Sequence, residues 1–208
     1  MFTLIIGNKN FSSWSLRPWL VLKMLEEPFE EHRIDLKAPD AGVHLLAVNP
    51  AGKVPVLYDR NLRIWDSLAI CEYLVECFPN AGLLPANSAE RAVARSLIAE
   101  MHSGFQALRQ QMPMDIARRH PTPELTPELQ HDIDRIIAIW EEQRHQFEAQ
   151  GPFLFGHFTI VDAFFAPVVT RFASYGIGLP QVAKAYAEHI QSLAPMREWT
   201  LAASTEIA

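Results

Sequence analysis

The chain has 208 residues, 49% hydrophobic and 20% charged, which suits one large or two small globular units and excludes global disorder. Eighteen Lys and Arg against 24 Asp and Glu leave a formal charge of −6, the reverse of what a nucleic-acid binder carries. No run approaches the ~18 apolar residues of a membrane span, so no membrane partner is expected.

Phe2 to Ile6 is a β-rich run ending at Gly7, and it reads as a strand and not as a signal peptide. After the loop Asn8–Ser13, residues Leu16, Leu20, Met24 and Leu25 recur at helical spacing, with Pro18 expected in the first turn. Strands are expected over 30–36, 53–58 and 62–65, the last two joined through Asp59-Arg60-Asn61. A short helix fits between the second and third of these strands. Ser67 then opens a helix with Leu68, Cys71, Leu74, Val75 and Phe78 on one face. Cys71 and Cys77 fall on different faces of it, so they are not expected to pair, and a reducing, cytoplasmic setting fits. Residues 79–88 are rich in Pro, Gly and Asn and read as a linker. Beyond it the strand signal disappears. Three apolar stripes follow: Leu97 to Met112; Ile133, Ile136, Ile137, Trp140 and Phe147; and Ile160 to Phe172. The expectation is an α/β unit over 1–78 and an all-helical unit over 89–208.

Four segments could carry chemistry. Asn10-Phe11-Ser12-Ser13-Trp14-Ser15-Leu16-Arg17 places hydroxyls at a helix N-terminus, where unpaired N–H groups and the dipole favour an anion such as a thiolate. The plain alternative is that Ser12, Ser13 or Ser15 caps the helix. Asn49 to Leu57 puts Pro55 where a strand should begin, and a cis Val54–Pro55 bond would leave Val54's backbone free for an extended ligand. Asp66-Ser67 either caps the following helix or cradles a ligand carboxylate. Thr159-Ile160-Val161-Asp162 matches a capping box and reads as structural. No Gly-rich nucleotide fingerprint, metal-ligand spacing or nucleophile elbow is present in the sequence, and no metal is expected.

In this order and spacing, the four segments resemble the cytosolic glutathione transferase superfamily over essentially the whole chain. The resemblance implies a thioredoxin-like N-terminal domain, a helical C-terminal domain and a homodimer. It also implies glutathione as co-substrate on the first domain, with a small electrophile between the two. By position, Val54 resembles the residue before the cis proline that pairs with the cysteinyl part of glutathione. Asp66 and Ser67 resemble the pair holding the γ-glutamyl end, and Lys53 and His44 fall near the glycine carboxylate. The Ser-Ser-x-Ser-x-Arg stretch is similar to the zeta and theta classes, in which a serine donates to the glutathione sulfur. That role falls on Ser13, with Ser12 the alternative and Ser15 the cap. Trp14 departs from the zeta pattern, which has Cys there. For the electrophile pocket the resemblance points to Trp14, His102, Phe105, Arg109 and Met112, with Met114 and the cations Arg118 and Arg119 nearby. Three activities follow as expectations: glutathione conjugation, cis–trans isomerisation of an unsaturated diacid, and glutathione carriage with little turnover.

Overall fold

Strand β1 (Phe2–Ile6) is the axis of the first half of the molecule, with Leu4 and Ile6 fully buried. This computed structural model describes residues 1–206. β2 (Phe29–Arg33) runs parallel to β1, and β3 (Val56–Asp59) and β4 (Leu62–Trp65) follow antiparallel, giving the order β2-β1-β3-β4. Two elements differ from expectation. β2 is shorter, because its FEEHR sequence lies on the exposed edge and stops at Arg33. β3 starts three residues late, since Lys53 to Pro55 stay outside the ladder and Pro55 has no N–H to give it.

Helix α1 (Ser13–Met24) and α3 (Ser67–Cys77) pack on one another against the sheet, while α2 (Ala41–Val48) buries only Ala41. Pro18 is the sixth residue of α1, not a first-turn residue as expected. Its missing N–H deprives the Trp14 carbonyl of its helical partner, yet the helix continues because Leu16, Trp19, Leu20, Val21 and Leu22 are all fully buried on its core faces.

The second half is helical: α4 (Ser88–Ser103), α5 (Gln106–Gln111), α6 (Pro127–Phe147), α7 (Ile160–Ser174), α8 (Gln181–Ser192) and α9 (Ala194–Thr205). α7 is its axis, buried on every side and packed against α1, α4 and α8. Apart from Asp162, Thr170, Arg171 and Ser174 it is apolar on all its faces, as a helix inside a fold must be, and those four are buried with it. The capping box at its start forms as expected. Asp162 accepts from Thr159 N at 2.9 Å, from Leu154 N at 3.1 Å and from the Tyr186 hydroxyl at 3.2 Å. Burial pushes its carboxyl up to about 6, against those hydrogen bonds.

Asp162→Ala removes a cap and strands buried donors at Leu154 and Tyr186. The expected loss is about 3 kcal/mol, measured by urea denaturation at neutral pH.

Candidate functional site

The starts of α1 and α3 face the β3 approach and the end of α4 across a cleft of about 470 Å3. Its walls include Trp14, Val54, Pro55, Asp66, Ser67 and His102. Asn49 shapes the loop before β3: its Oδ1 accepts from Ala51 N at 3.0 Å and its Nδ2 donates to Lys53 O at 2.9 Å. Gly52 takes a φ of 62° there, a conformation glycine adopts without strain. The Val54–Pro55 bond is cis. Among the described residues no other residue engages the main-chain N–H or C=O of Val54.

Across the cleft, Asp66 (φ 76°) caps α3, accepting from Leu68 N at 2.8 Å, and leaves the buried Ser67 at the first helical position. The other oxygen of Asp66 lies 3.3 Å from His102 Nε2, which reaches over from α4. His102 also sets its ring edge-on to Trp14, with centroids 5.3 Å apart. Its Nδ1 is buried without a partner. Loss of hydration holds the imidazole below its ordinary 6.5; Arg17 and Arg109 add to this, and Asp66 opposes it.

Behind Trp14 lies a layered stack that joins the two halves. The Arg17 guanidinium lies 4.3 Å from the Trp14 ring and 4.4 Å from the Phe164 ring of α7. Arg109 covers the Trp14 ring at 4.7 Å and donates to the carbonyls of Met101 and Gly104. Arg17 is fully buried. Its Nη1 is 3.5 Å from Ser67 Oγ, while Nε and Nη2 have no partner among the described residues. Arg171 of α7 is also buried; it donates to Met112 O at 2.8 Å and to Ser13 Oγ at 3.3 Å, and leaves Nη1 unpartnered. Burial, then the neighbouring guanidiniums, pushes Arg17 well below its usual range and Arg171 to about 10. Three cations thus share a poorly hydrated seam. Their nearest carboxylates, at Asp66 and Asp132, act only at a distance. Such a seam strongly favours an incoming anion.

At the start of α1 the cap is Ser12, whose Oγ accepts from Ser15 N at 3.3 Å and donates to Ser15 Oγ at 2.7 Å. Ser15, expected as the cap, instead ties α1 back to the sheet by accepting from Gly7 N at 3.1 Å. Ser13 is buried beside Trp14, and the structure gives its hydroxyl proton no acceptor among the described residues. Lys53 is exposed on the cleft rim.

His44 lies outside the cleft walls: it is exposed on α2 and pairs with Asp40 at 3.1 Å, one turn away on the same surface. Phe105 and Met112 also leave the proposed pocket wall. α4 ends at Gly104, Phe105 turns with a φ of 60°, and both side chains drop into the core. Arg118 is exposed 3.8 Å from Asp115, and Arg119 faces a different groove, so neither points to the cleft. Two contributors escaped sequence reasoning, Arg171 and the cleft residue Trp65. For Arg171 a signal existed, a cation within the apolar stripe that became α7.

Residues 11–77 match the family description "Glutathione S-transferase, N-terminal domain", and residues 91–199 match "Glutathione S-transferase, C-terminal domain". A probable maleylacetoacetate isomerase from Caenorhabditis elegans is 40% identical over 96 residues, 46% of this chain and 44% of that protein. A stringent starvation protein A homolog from Coxiella burnetii is 28% identical over 182 residues, 86% of this chain and 80% of that one. The chain thus spans under half the length of the nematode relative, and 58% of a stringent starvation protein A homolog from Haemophilus ducreyi. Among solved structures, a bacterial zeta-class maleyl pyruvate isomerase superposes with a TM-score of 0.75 at 22% identity, covering 97% of both chains. A glutathione transferase homolog from Burkholderia, solved with bound glutathione, gives 0.73 at 24% identity over 98% of both. At these identities the likeness is one of fold.

His102 binds its proton less tightly when folded than when unfolded. The stability tied to its neutral form is therefore present above pH 6.5 and is lost as pH falls through the lower folded value. In an NMR titration the His102 ring should turn over below 6.5, and His102→Gln should flatten the fall in urea stability between about pH 7.5 and 5.

Proposed function

The chain belongs to the glutathione S-transferase family through both of its halves, and on that premise we propose that it is an enzyme using the glutathione thiolate against a small electrophile. One observation carries this reading: a single cleft brings together the unengaged main chain of Val54, the Asp66–Ser67 helix start and the start of α1. An extended tripeptide has three demands, and each is met there. Val54 offers an N–H and a C=O to its middle residue, as an added strand would. Ser67, at the first position of α3, offers a hydroxyl and helix-end N–H groups to an α-carboxylate, while Asp66 offers an acceptor to an ammonium. Lys53 on the rim suits the far carboxylate.

We place the sulfur beside Ser13, which adjoins the cleft residue Trp14 but does not itself line the cleft. Arg171 occupies a lone pair of the Ser13 hydroxyl, which leaves the proton to be given away, whereas the Ser12 proton is committed to Ser15. A free thiol titrates near about 8.5, and a hydroxyl donor, a helix N-terminus and nearby guanidiniums all lower that value. The thiol proton leaves to solvent, and the thiolate forms a carbon–sulfur bond to an electrophile held against Trp14 and His102; the bond to a leaving group breaks and the group departs with its electron pair, or the attacked double bond opens onto its far atom, which takes a proton from solvent. Ser13 acts as a hydrogen-bond donor throughout, neither a covalent nucleophile nor a base.

The buried arginines favour a second reading, isomerisation of an unsaturated diacid, in which the sulfur adds, the bond rotates and the sulfur leaves. The positive charge of Arg17 and Arg171 behind Trp14 suits a carboxylate-bearing substrate through its field. We assign the chain to the cytoplasm; an exposed free thiol at Cys77 supports a reducing compartment. We also expect a homodimer, supported by exposed apolar residues on α2, β4 and α4: Val43, Leu46, Leu62 and Val93.

Calorimetric titration with glutathione at one pH below 7 and one above should show binding with proton release. Ser13→Ala should abolish that release, raise the bound thiol's titration midpoint and cut kcat about ten- to hundredfold, the range of one hydrogen bond to a charged group. Turnover of unsaturated diacids alone would select the isomerase, and tight binding without any turnover would select the carrier. Absence of binding at millimolar glutathione would overturn the reading.

A further inference from the structure

The loop that delivers the serines, Gly7 to Ser12, is held from the far end of the chain. Lys9 N donates to Glu206 Oε1 at 2.8 Å and Asn10 N donates to Glu206 Oε2 at 3.1 Å. One carboxylate thus takes two successive main-chain N–H groups nearly 200 residues away. Its side chain is only 7% exposed, and Arg33 of β2 pairs with it at 3.1 Å. Trp199, two turns earlier on the same face of α9, donates its Nε1 to Lys9 O at 2.8 Å. Lys9 and Asn10 are themselves buried, so their N–H groups have no water to turn to if the carboxylate is lost.

From this anchor the loop is set step by step. With its main chain fixed, Asn10 donates from Nδ2 to Asp115 at 2.7 Å and accepts from Ala117 N at 2.8 Å. Asn8 O accepts from Phe11 N at 3.2 Å and from Ser12 N at 2.8 Å, which closes the turn and places Ser12 as the cap and Ser13 as the first helical residue. Lys9 Nζ pairs with Glu31 at 2.8 Å, and Asn8 is tied to the backbone of Leu36 at 2.7 Å. Those contacts fix the loop to its own sheet unit. Trp199, Asp115 and Ala117 tie it to the helical unit, and Glu206 does so through the two successive main-chain N–H groups that precede the serines.

We propose that Glu206 is a positioning residue for the reaction: the last described turn of the chain fixes the serine loop in the geometry that stabilises the thiolate. This rests on the glutathione reading above. It holds whichever serine meets the sulfur, since both lie downstream of the same two N–H groups.

The test compares the intact wild-type protein with Glu206→Ala, Glu206→Gln and, as a control, Glu198→Gln. The control breaks the exposed α9–α1 ion pair Lys23–Glu198 (2.8 Å) and leaves the loop untouched. Amide hydrogen exchange over residues 8–13 needs no ligand. It should quicken about tenfold or more in Glu206→Ala, less in Glu206→Gln, which keeps one acceptor oxygen, and not at all in the control. With glutathione bound, the thiolate absorbance should titrate at higher pH by about half a unit or more in both Glu206 variants, with a matching loss of kcat and little change in the KM for the electrophile. Unchanged exchange in Glu206→Ala overturns the proposal. So does faster exchange with an unshifted thiolate titration in a protein that binds glutathione, because Glu206 would then be structural only. If the wild type shows no bound thiolate, the glutathione reading is what has failed, and the proposed role falls with it.

Discussion

Arg17 is a full positive charge with no exposed surface and no carboxylate bonded to it. Burying an ion costs several kcal/mol even after the protein relaxes, so a fold that keeps one must recover that free energy nearby. Here the recovery comes from two aromatic faces, Trp14 and Phe164, which sandwich the guanidinium at 4.3 and 4.4 Å. The first ring belongs to α1 and the second to α7, so the charge is sheltered only when the two halves are docked. The contact that joins the units therefore also sets the electrostatics of the cleft. Any loosening of α1 from α7 would hydrate Arg17 and weaken the positive field at the start of α1.

The same seam explains why the candidate site has two kinds of wall. The sheet-side wall is made of backbone and helix ends at Val54 and Asp66–Ser67. Its geometry follows from the Asn49 side chain, which holds the loop before β3, and from the Asp66 cap of α3. From the helical half the wall is the His102 side chain of α4, and a substitution there changes shape and charge without disturbing the sheet.

Much of this was legible in the sequence, because the relevant signals are local. The capping box at Thr159–Asp162, the Asp66 cap and the four strands are each written within a few residues, and each forms. The segments around Ser13, Val54 and Ser67 were legible as candidates for the same reason. What escaped depends on long-range geometry. Met112 reads as amphipathic helix, and only the turn at Gly104–Phe105 sends it into the core. His44 sits in the right stretch of chain, but α2 is so weakly buried that it points the ring at Asp40. Arg171 touches Ser13 across 158 residues, a pairing that no window of sequence can display.

Trp14 is where these constraints meet. Two cations lie against its ring, Arg17 at 4.3 Å and Arg109 at 4.7 Å, with His102 at its edge. A smaller residue would leave these guanidiniums beside a space open to the cleft. Their repulsion would then be screened by water or by a bound anion, and the site would admit a carboxylate directly. With tryptophan in place, the ring's negative faces lower the cost of the two neighbouring charges. The ring also forms the cleft wall, so the positive field reaches the cleft while the donors themselves stay covered. A field without exposed donors favours a diffuse or transient anion, such as a thiolate at the helix start, over a tightly bound permanent one. Trp14 thus decides whether an anion in the cleft meets the arginines as hydrogen-bond donors or as a field, and with tryptophan there it meets a field.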